Sequence, residues 1–185
     1  HAVITSVDRD DLKDGGASLW VETVKCIRKL NPSTTLETLI PDFKGEKKDL
    51  DYIIKVMPEV ISHNLETVRR LSREVRVQAK YDRSLFVLKY LKEQGVNRTK
   101  SGIMLGLGEM ESEVLETLHD LRDANVDVVT IGQYLQPSKK LLQVKEFITP
   151  EQFDKYAQIA KDIGFIHVES GPLVRSSYKA HKHIS

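Results

Sequence analysis

The run Lys100-Ser101-Gly102-Ile103-Met104-Leu105-Gly106, the segment 111–124 and the run Asp127-Val128-Val129-Thr130-Ile131-Gly132-Gln133 read as one strand–helix–strand unit. Within 111–124, Val114, Leu115, Leu118 and Leu121 fall on one helical face. Neither flanking run alternates strictly between polar and apolar residues, as expected of strands buried on both faces of a parallel sheet. The same order of β-rich run, loop and amphipathic helix recurs outward in both directions. Strands are expected at 2–7, 34–39, 60–63, 100–106, 127–133 and 165–169, and helices at 17–30, 46–57, 65–73, 82–94, 111–124 and 150–163. Such alternation predicts an α/β fold with parallel strands and helical crossovers.

Caps support the helices. Thr149 stands as N-cap before Pro150, with Gln152 three residues on, and Gly164 supplies a left-handed stop after the stripe Phe153, Tyr156, Ala157, Ala160, Ile163. The helix carrying Leu85, Leu88 and Leu91 ends at Gly95. The 185 residues are 40% apolar and 30% charged, the balance of a globular chain. A net charge of +1 without a basic block gives no support to nucleic-acid binding, and no apolar run approaches bilayer length. One cysteine, Cys26, excludes a disulfide framework and a cysteine-based zinc site; mid-helix, it reads as a small packed side chain. His1-Ala2-Val3-Ile4-Thr5 is already a strand, so residue 1 reads as a cut inside a larger protein. Val3, Ile4 and Val7 are then expected on an exposed edge prone to aggregation.

In folds of this class functional residues gather where strands end and helices begin. The loop Asp8-Arg9-Asp10-Asp11-Leu12-Lys13-Asp14-Gly15-Gly16 holds four carboxylates. Leu12 and Lys13 stand where a calcium loop needs a ligand and a glycine. Two readings stay open: helix-start acids on an exposed loop, or recognition of a cationic group. Gly106-Leu107-Gly108-Glu109 sits where a phosphate would bind, but Glu111 replaces the fingerprint glycine and Glu109, Glu111 and Glu113 would repel a pyrophosphate. A structural turn, or close approach of an uncharged ring, remains. His63 reads as a packed or hydrogen-bonded histidine. Asn64 with Glu66 suits a ribose diol, and Gln133 and Gln136 suit a neutral base. His181-Lys182-His183 reads as a solvated tail.

Taken in order, Ser6-Val7-Asp8-Arg9-Asp10-Asp11, Pro41-Asp42-Phe43-Lys44-Gly45, His63-Asn64-Leu65-Glu66-Thr67, 100–109, Gly132-Gln133-Tyr134-Leu135-Gln136-Pro137-Ser138 and Ser170-Gly171-Pro172 through Ala180 resemble the lipoyl synthase family. The resemblance covers nearly the whole chain. It implies a partial (β/α)6 barrel of the radical S-adenosylmethionine type, with the first strand and cluster loops missing. Residues 1–170 would be the C-terminal part of that barrel, and 171–185 a segment carrying Arg175-Ser176-Ser177-Tyr178. The implied activity is insertion of two sulfur atoms at C6 and C8 of a protein-bound octanoyl-lysine. The implied cofactors are two 4Fe–4S clusters and S-adenosylmethionine; the cluster cysteine triads of the family precede the segment with which this chain begins.

The resemblance also implies roles. Ser177 would be the serine ligand of the auxiliary cluster, with Arg175 beside it as a catalytic residue. Asn64 and Glu66 would hold the ribose of S-adenosylmethionine, Gly106, Gly108 and Gln136 its adenine, and Asp8, Asp10 and Asp11 its amino end or the octanoyl-lysine. Implied partners are octanoylated lipoyl-carrier domains (2-oxoacid dehydrogenase E2 subunits, glycine cleavage H protein) and iron–sulfur carrier proteins, in a bacterial cytoplasm or a mitochondrial matrix. The chain alone is expected to be inactive. The alternatives are a non-catalytic half of a split enzyme that binds S-adenosylmethionine or a lipoyl carrier, and a phosphate-dependent aldolase, which lacks an evident lysine or phosphate site.

Overall fold

The computed structural model describes residues 1–76 and 78–184. Six strands, β1 (Ala2–Thr5), β2 (Leu36–Leu39), β3 (Val60–Ser62), β4 (Thr99–Leu105), β5 (Val128–Gln133) and β6 (His167–Gly171), form one sheet in the order β1-β2-β3-β4-β5-β6. Every pairing is parallel. The helices are α1 (Ala17–Leu30), α2 (Lys47–Val56), α3 (Ser72–Val75), α4 (Tyr81–Glu93), α5 (Glu111–Asp123) and α6 (Pro150–Ile163). The expected α/β architecture with helical crossovers is what forms. The caps of α6 also hold: Thr149 Oγ1 accepts from the Gln152 amide, and Gly164 closes the helix at φ 104°.

Strand period divides the sheet into two unlike faces. Ile4, Ile61, Ile103, Leu105, Val129 and Ile131 point outward into two apolar clusters shared with the helices. Their alternates point inward and include a polar set, Glu37, Ser62, Lys100, Thr130 and Glu169, beside the apolar Leu39, Val60, Met104 and Val128. Lys100 Nζ lies 2.9 Å and 3.0 Å from the two oxygens of Glu37, which also accepts from Ser62 Oγ at 2.6 Å, all without solvent exposure. A buried ion pair of this kind is held by mutual compensation and would be costly to break on one side only.

Three expectations are corrected here. The helix expected at 65–73 is extended at first: Glu66, at φ 67°, bridges Ile103, with its amide on Gly102 O at 2.9 Å and its carbonyl accepting from Met104 N at 2.8 Å. Helical turns begin only at Arg69, and Leu65, Val68 and Leu71 reach the core without lying on one helix stripe. Cys26 is exposed rather than packed. It lies two residues beyond buried Val24, about 200° around the helix, and so faces outward. β1 stops at Thr5 and leaves Val7 75% exposed, while β6 starts at His167 because Phe165 turns into the core.

Candidate functional site

A cavity of about 490 Å³ opens at the C-terminal ends of β1, β2 and β3. Its walls include Thr5, Asp8, Asp10, Asp42, Asn64, Glu66, Arg76 and Arg83. The loop after β1 sorts its own carboxylates. Asp11 is gripped by Arg9 through two bonds of 2.8 Å and 2.7 Å. Asp14 accepts from the Gly16 and Ser18 amides at 3.0 Å and 2.9 Å, and hydrogen bonds from the Ser18 side chain and these amides hold its carboxyl down at about 2. Gly15 and Gly16, at φ 59° and 87°, provide the left-handed step into α1. Asp8 and Asp10 are left on the cavity wall, Asp10 at 3.3 Å from Lys44. Opposite them, Arg83 pairs with Asp42 at 3.1 Å.

The inner wall is a small polar network. Asn64 Nδ2 donates to Glu66 Oε1 and to Ser176 Oγ, both at 2.9 Å. Asn64 Oδ1 is buried without a partner. Burial raises the pKa of the Glu66 carboxyl, against the hydrogen bond from Asn64 and the charge of Arg76. Arg76 donates to Leu65 O at 3.3 Å and to Ser84 Oγ at 3.1 Å; burial lowers its pKa, while Glu66, Asp42 and Asp8 favour its charged form. His63 is packed and hydrogen-bonded on both ring nitrogens, to Ile40 O at 2.9 Å and Ser84 Oγ at 2.8 Å, and its burial depresses its pKa to about 4. It is a neutral strut in the wall.

The other strand ends are closed by the chain itself. The Gly106 and Leu107 amides, which would greet an anion, both donate to the Glu109 carboxylate, at 2.9 Å for Leu107. Gln133 donates to Tyr134 O and Glu146 O at 3.0 Å and accepts from the Ile148 amide at 2.9 Å, clamping the following loop. Gln136 donates to Leu141 O at 2.8 Å within its own loop. Gly106, Gly108 and Gln136 therefore lie outside the cavity lining formed around Asp8, Asp10, Asn64 and Glu66.

After β6 the chain turns back across the inner face. The Val174 carbonyl lies so close to Gly132 that a Cβ there would sit 2.3 Å from its oxygen. Arg175 Nη1 donates to Val174 O at 2.6 Å, Ser177 is exposed, and Lys179 reaches Glu169 at 3.5 Å. The solvated-tail reading of His181-Lys182-His183 is corrected: His183 is fully buried against His167, with ring centroids 5.7 Å apart. Burial, then the charge of Lys100, lowers its pKa to about 3. The reason is the polar inner face, which an open sheet must cover with something.

Sequence reasoning missed Arg76, Ser176 and the Glu37–Lys100–Ser62 network. A signal was present. Each of β2 to β6 carries a polar or charged residue within its strand, Glu37, Ser62, Lys100, Thr130 and Glu169, where a strand buried on both faces would be apolar.

The Radical SAM superfamily model matches residues 1–121. The chain is 74% identical over 184 residues to the lipoyl synthase of Flavobacterium johnsoniae and 73% identical to the mitochondrial lipoyl synthase of Nematostella vectensis. All of this chain is covered in both matches, but it spans only 64% and 63% of those relatives' lengths. A domain of pyruvate-formate lyase-activating enzyme from Bacteroides vulgatus shares the fold with a TM-score of 0.67 at 12% identity, covering 91% of this chain and 98% of that one.

Proposed function

Since the chain belongs to the radical SAM superfamily, we propose that it is part of a lipoyl synthase, whose whole protein inserts two sulfur atoms into an octanoyl group carried on a protein lysine. The observation that carries this reading is the cavity at the ends of β1–β3. It sets carboxylates (Asp8, Asp10) and guanidinium groups (Arg76, Arg83) around an amide–carboxylate pair (Asn64, Glu66). That donor set suits S-adenosylmethionine: opposite charges for its zwitterionic amino-acid end, an amide and a carboxylate for its ribose diol, and an orphaned acceptor in Asn64 Oδ1. When bound, S-adenosylmethionine supplies the adenosyl group from which radical chemistry starts. The protein residues would bind and orient it. Gly106, Gly108 and Gln136 lie outside this lining and in this reading would meet the adenine only where it extends beyond the cavity.

The residues here do not make a 4Fe–4S site by themselves. Cys26 is exposed on α1, and among the described residues no group of three or more His, Cys, Asp or Glu side chains is placed to hold a metal. Ser177 would contribute a single oxygen ligand, with Arg175 beside it. In this reading the cysteine triads belong to the additional length of the relatives, and the isolated chain is inactive. Octanoylated carrier domains would be its substrates and iron–sulfur carrier proteins its suppliers, in a bacterial cytoplasm or a mitochondrial matrix.

The test is to join the chain to the extra segment of the Flavobacterium relative, reconstitute the clusters anaerobically, and follow an octanoylated carrier by mass. Two sulfur atoms gained support the reading; a cluster-loaded protein that leaves the carrier unchanged sinks it. The single cysteine favours a second reading, a binding half of a split enzyme. In that case the chain binds S-adenosylmethionine and the fusion adds no chemistry.

A further inference from the structure

The cavity and the Arg175–Tyr178 turn meet at one side-chain relay. Asn64 Nδ2 has two N–H donors, and both are engaged, one on Glu66 Oε1 and one on Ser176 Oγ, each at 2.9 Å. Turning the amide round would set its oxygen against the Glu66 carboxylate, so the orientation toward Glu66 dictates the orientation toward Ser176. Gly102 makes room for this: a Cβ there would lie 3.1 Å from Asn64 Oδ1 and 2.6 Å from Thr130 Oγ1. Ser176 accepts from Asn64 through its Oγ. The bond joins residues 112 apart in sequence and is the only side-chain hydrogen bond of Ser176 among the described residues.

We propose that Ser176 is a positioning residue: through Asn64 it couples the Glu66 carboxylate in the cavity to the turn that carries Ser177. This rests on the reading of the cavity as the S-adenosylmethionine site, but the relay itself exists without ligand. A ligand that draws on Glu66 changes the hold on the turn, and the turn changes ligand affinity by the same factor.

The test is hydrogen exchange on the ligand-free chain, read at the Tyr178 amide, which donates to Arg175 O at 2.8 Å within the turn. Ser176→Ala should speed that exchange about fivefold, the usual weight of one uncharged hydrogen bond. Glu66→Ala, although Glu66 makes no hydrogen bond to the turn, should speed it about twofold or more, and the double variant no more than the faster single one. Ser176→Thr, which keeps the hydroxyl, should restore the wild-type rate. Unchanged exchange in Glu66→Ala, full additivity of the two changes, or failure of threonine to rescue would each overturn the proposal. A calorimetric titration with S-adenosylmethionine runs separately. Absence of binding to the wild-type chain would refute the cavity reading, while the exchange cycle still decides the relay.

Discussion

Two ends of the same sheet edge carry similar residues and do opposite things. At β4 and β5, Gly106, Gly108, Gln133 and Gln136 look like a ligand-binding set, yet Glu109 caps the glycine-loop amides and Gln133 makes three internal hydrogen bonds. At β1–β3 the loop after β1 uses two of its four acids internally, and Asp8, Asp10, Glu66 and the Asn64 carbonyl face a cavity or lack a partner. A polar residue at a strand end is available to a ligand only where the chain leaves its hydrogen-bonding capacity unused.

The largest effect should come from forcing the closed end apart. A Cβ at Gly106 would meet Gln133 Nε2 at 2.2 Å and Glu146 O at 2.4 Å, on a backbone at φ 101°. Gly106→Ala is expected to cost roughly 3 kcal/mol in urea unfolding. Gly108→Ala, strained at φ 97° but meeting only the Lys145 side chain at 3.6 Å and 3.9 Å, should cost roughly 1 kcal/mol. Equal losses would mean that the clamp is not what fills the closed end.

Acid should act on the cavity side. His63 is held neutral with its pKa near 4, below its unfolded value, so its contribution is complete above about pH 6.5 and declines as pH falls toward 4. His183, lowered to about 3, has the same sign and a window reaching further down. His63 alone should make the fold on the order of 2 kcal/mol less stable at pH 5 than at pH 7, His183 should add a comparable loss, and His63→Gln should take away about half of that slope. A slope untouched by His63→Gln would place the acid sensitivity under the tail instead.

A direct exchange of roles follows. Gln133→Ala should lose roughly 2 kcal/mol of stability by leaving Glu146 O and the Ile148 amide unpaired, with S-adenosylmethionine affinity unchanged. Glu66→Ala should do the reverse, dropping affinity about tenfold at roughly constant stability, because the lost carboxyl was itself costly to bury. The smallest effect belongs to the sheet edge: Val7→Lys, at a 75% exposed position beside β1, should leave the unfolding midpoint in place and reduce aggregation seen by light scattering.

Most of the fold could be read from local pattern. α1 forms at the bounds expected, and α6 falls where the spacing and caps put it, because Pro150, Thr149 and Gly164 act within a few residues. The segment 65–73 misled, since Leu65, Val68 and Leu71 keep helical spacing while Glu66 is captured by β4, a tertiary event that spacing does not register. At the site, Asn64, Glu66, Asp8 and Asp10 were legible as residue types at strand ends. Arg76 and Ser176 were not, for their roles arise from distant chain folding onto them: Ser176 meets Asn64 across 112 residues. His183 was misread for the same reason, as nothing near it in sequence announces the inner face it covers.

The strand order also bears on how the molecule comes into being. Because every strand lies beside its predecessor, the sheet can grow in the order in which the chain is synthesised, each crossover closing a short loop before the next begins. The Ser176–Asn64 bond cannot take part in that growth, because its two halves are made far apart in time. The cavity wall is thus completed by a stretch translated after β6, and a chain halted at Gly171 would carry these six strands around an unfinished site.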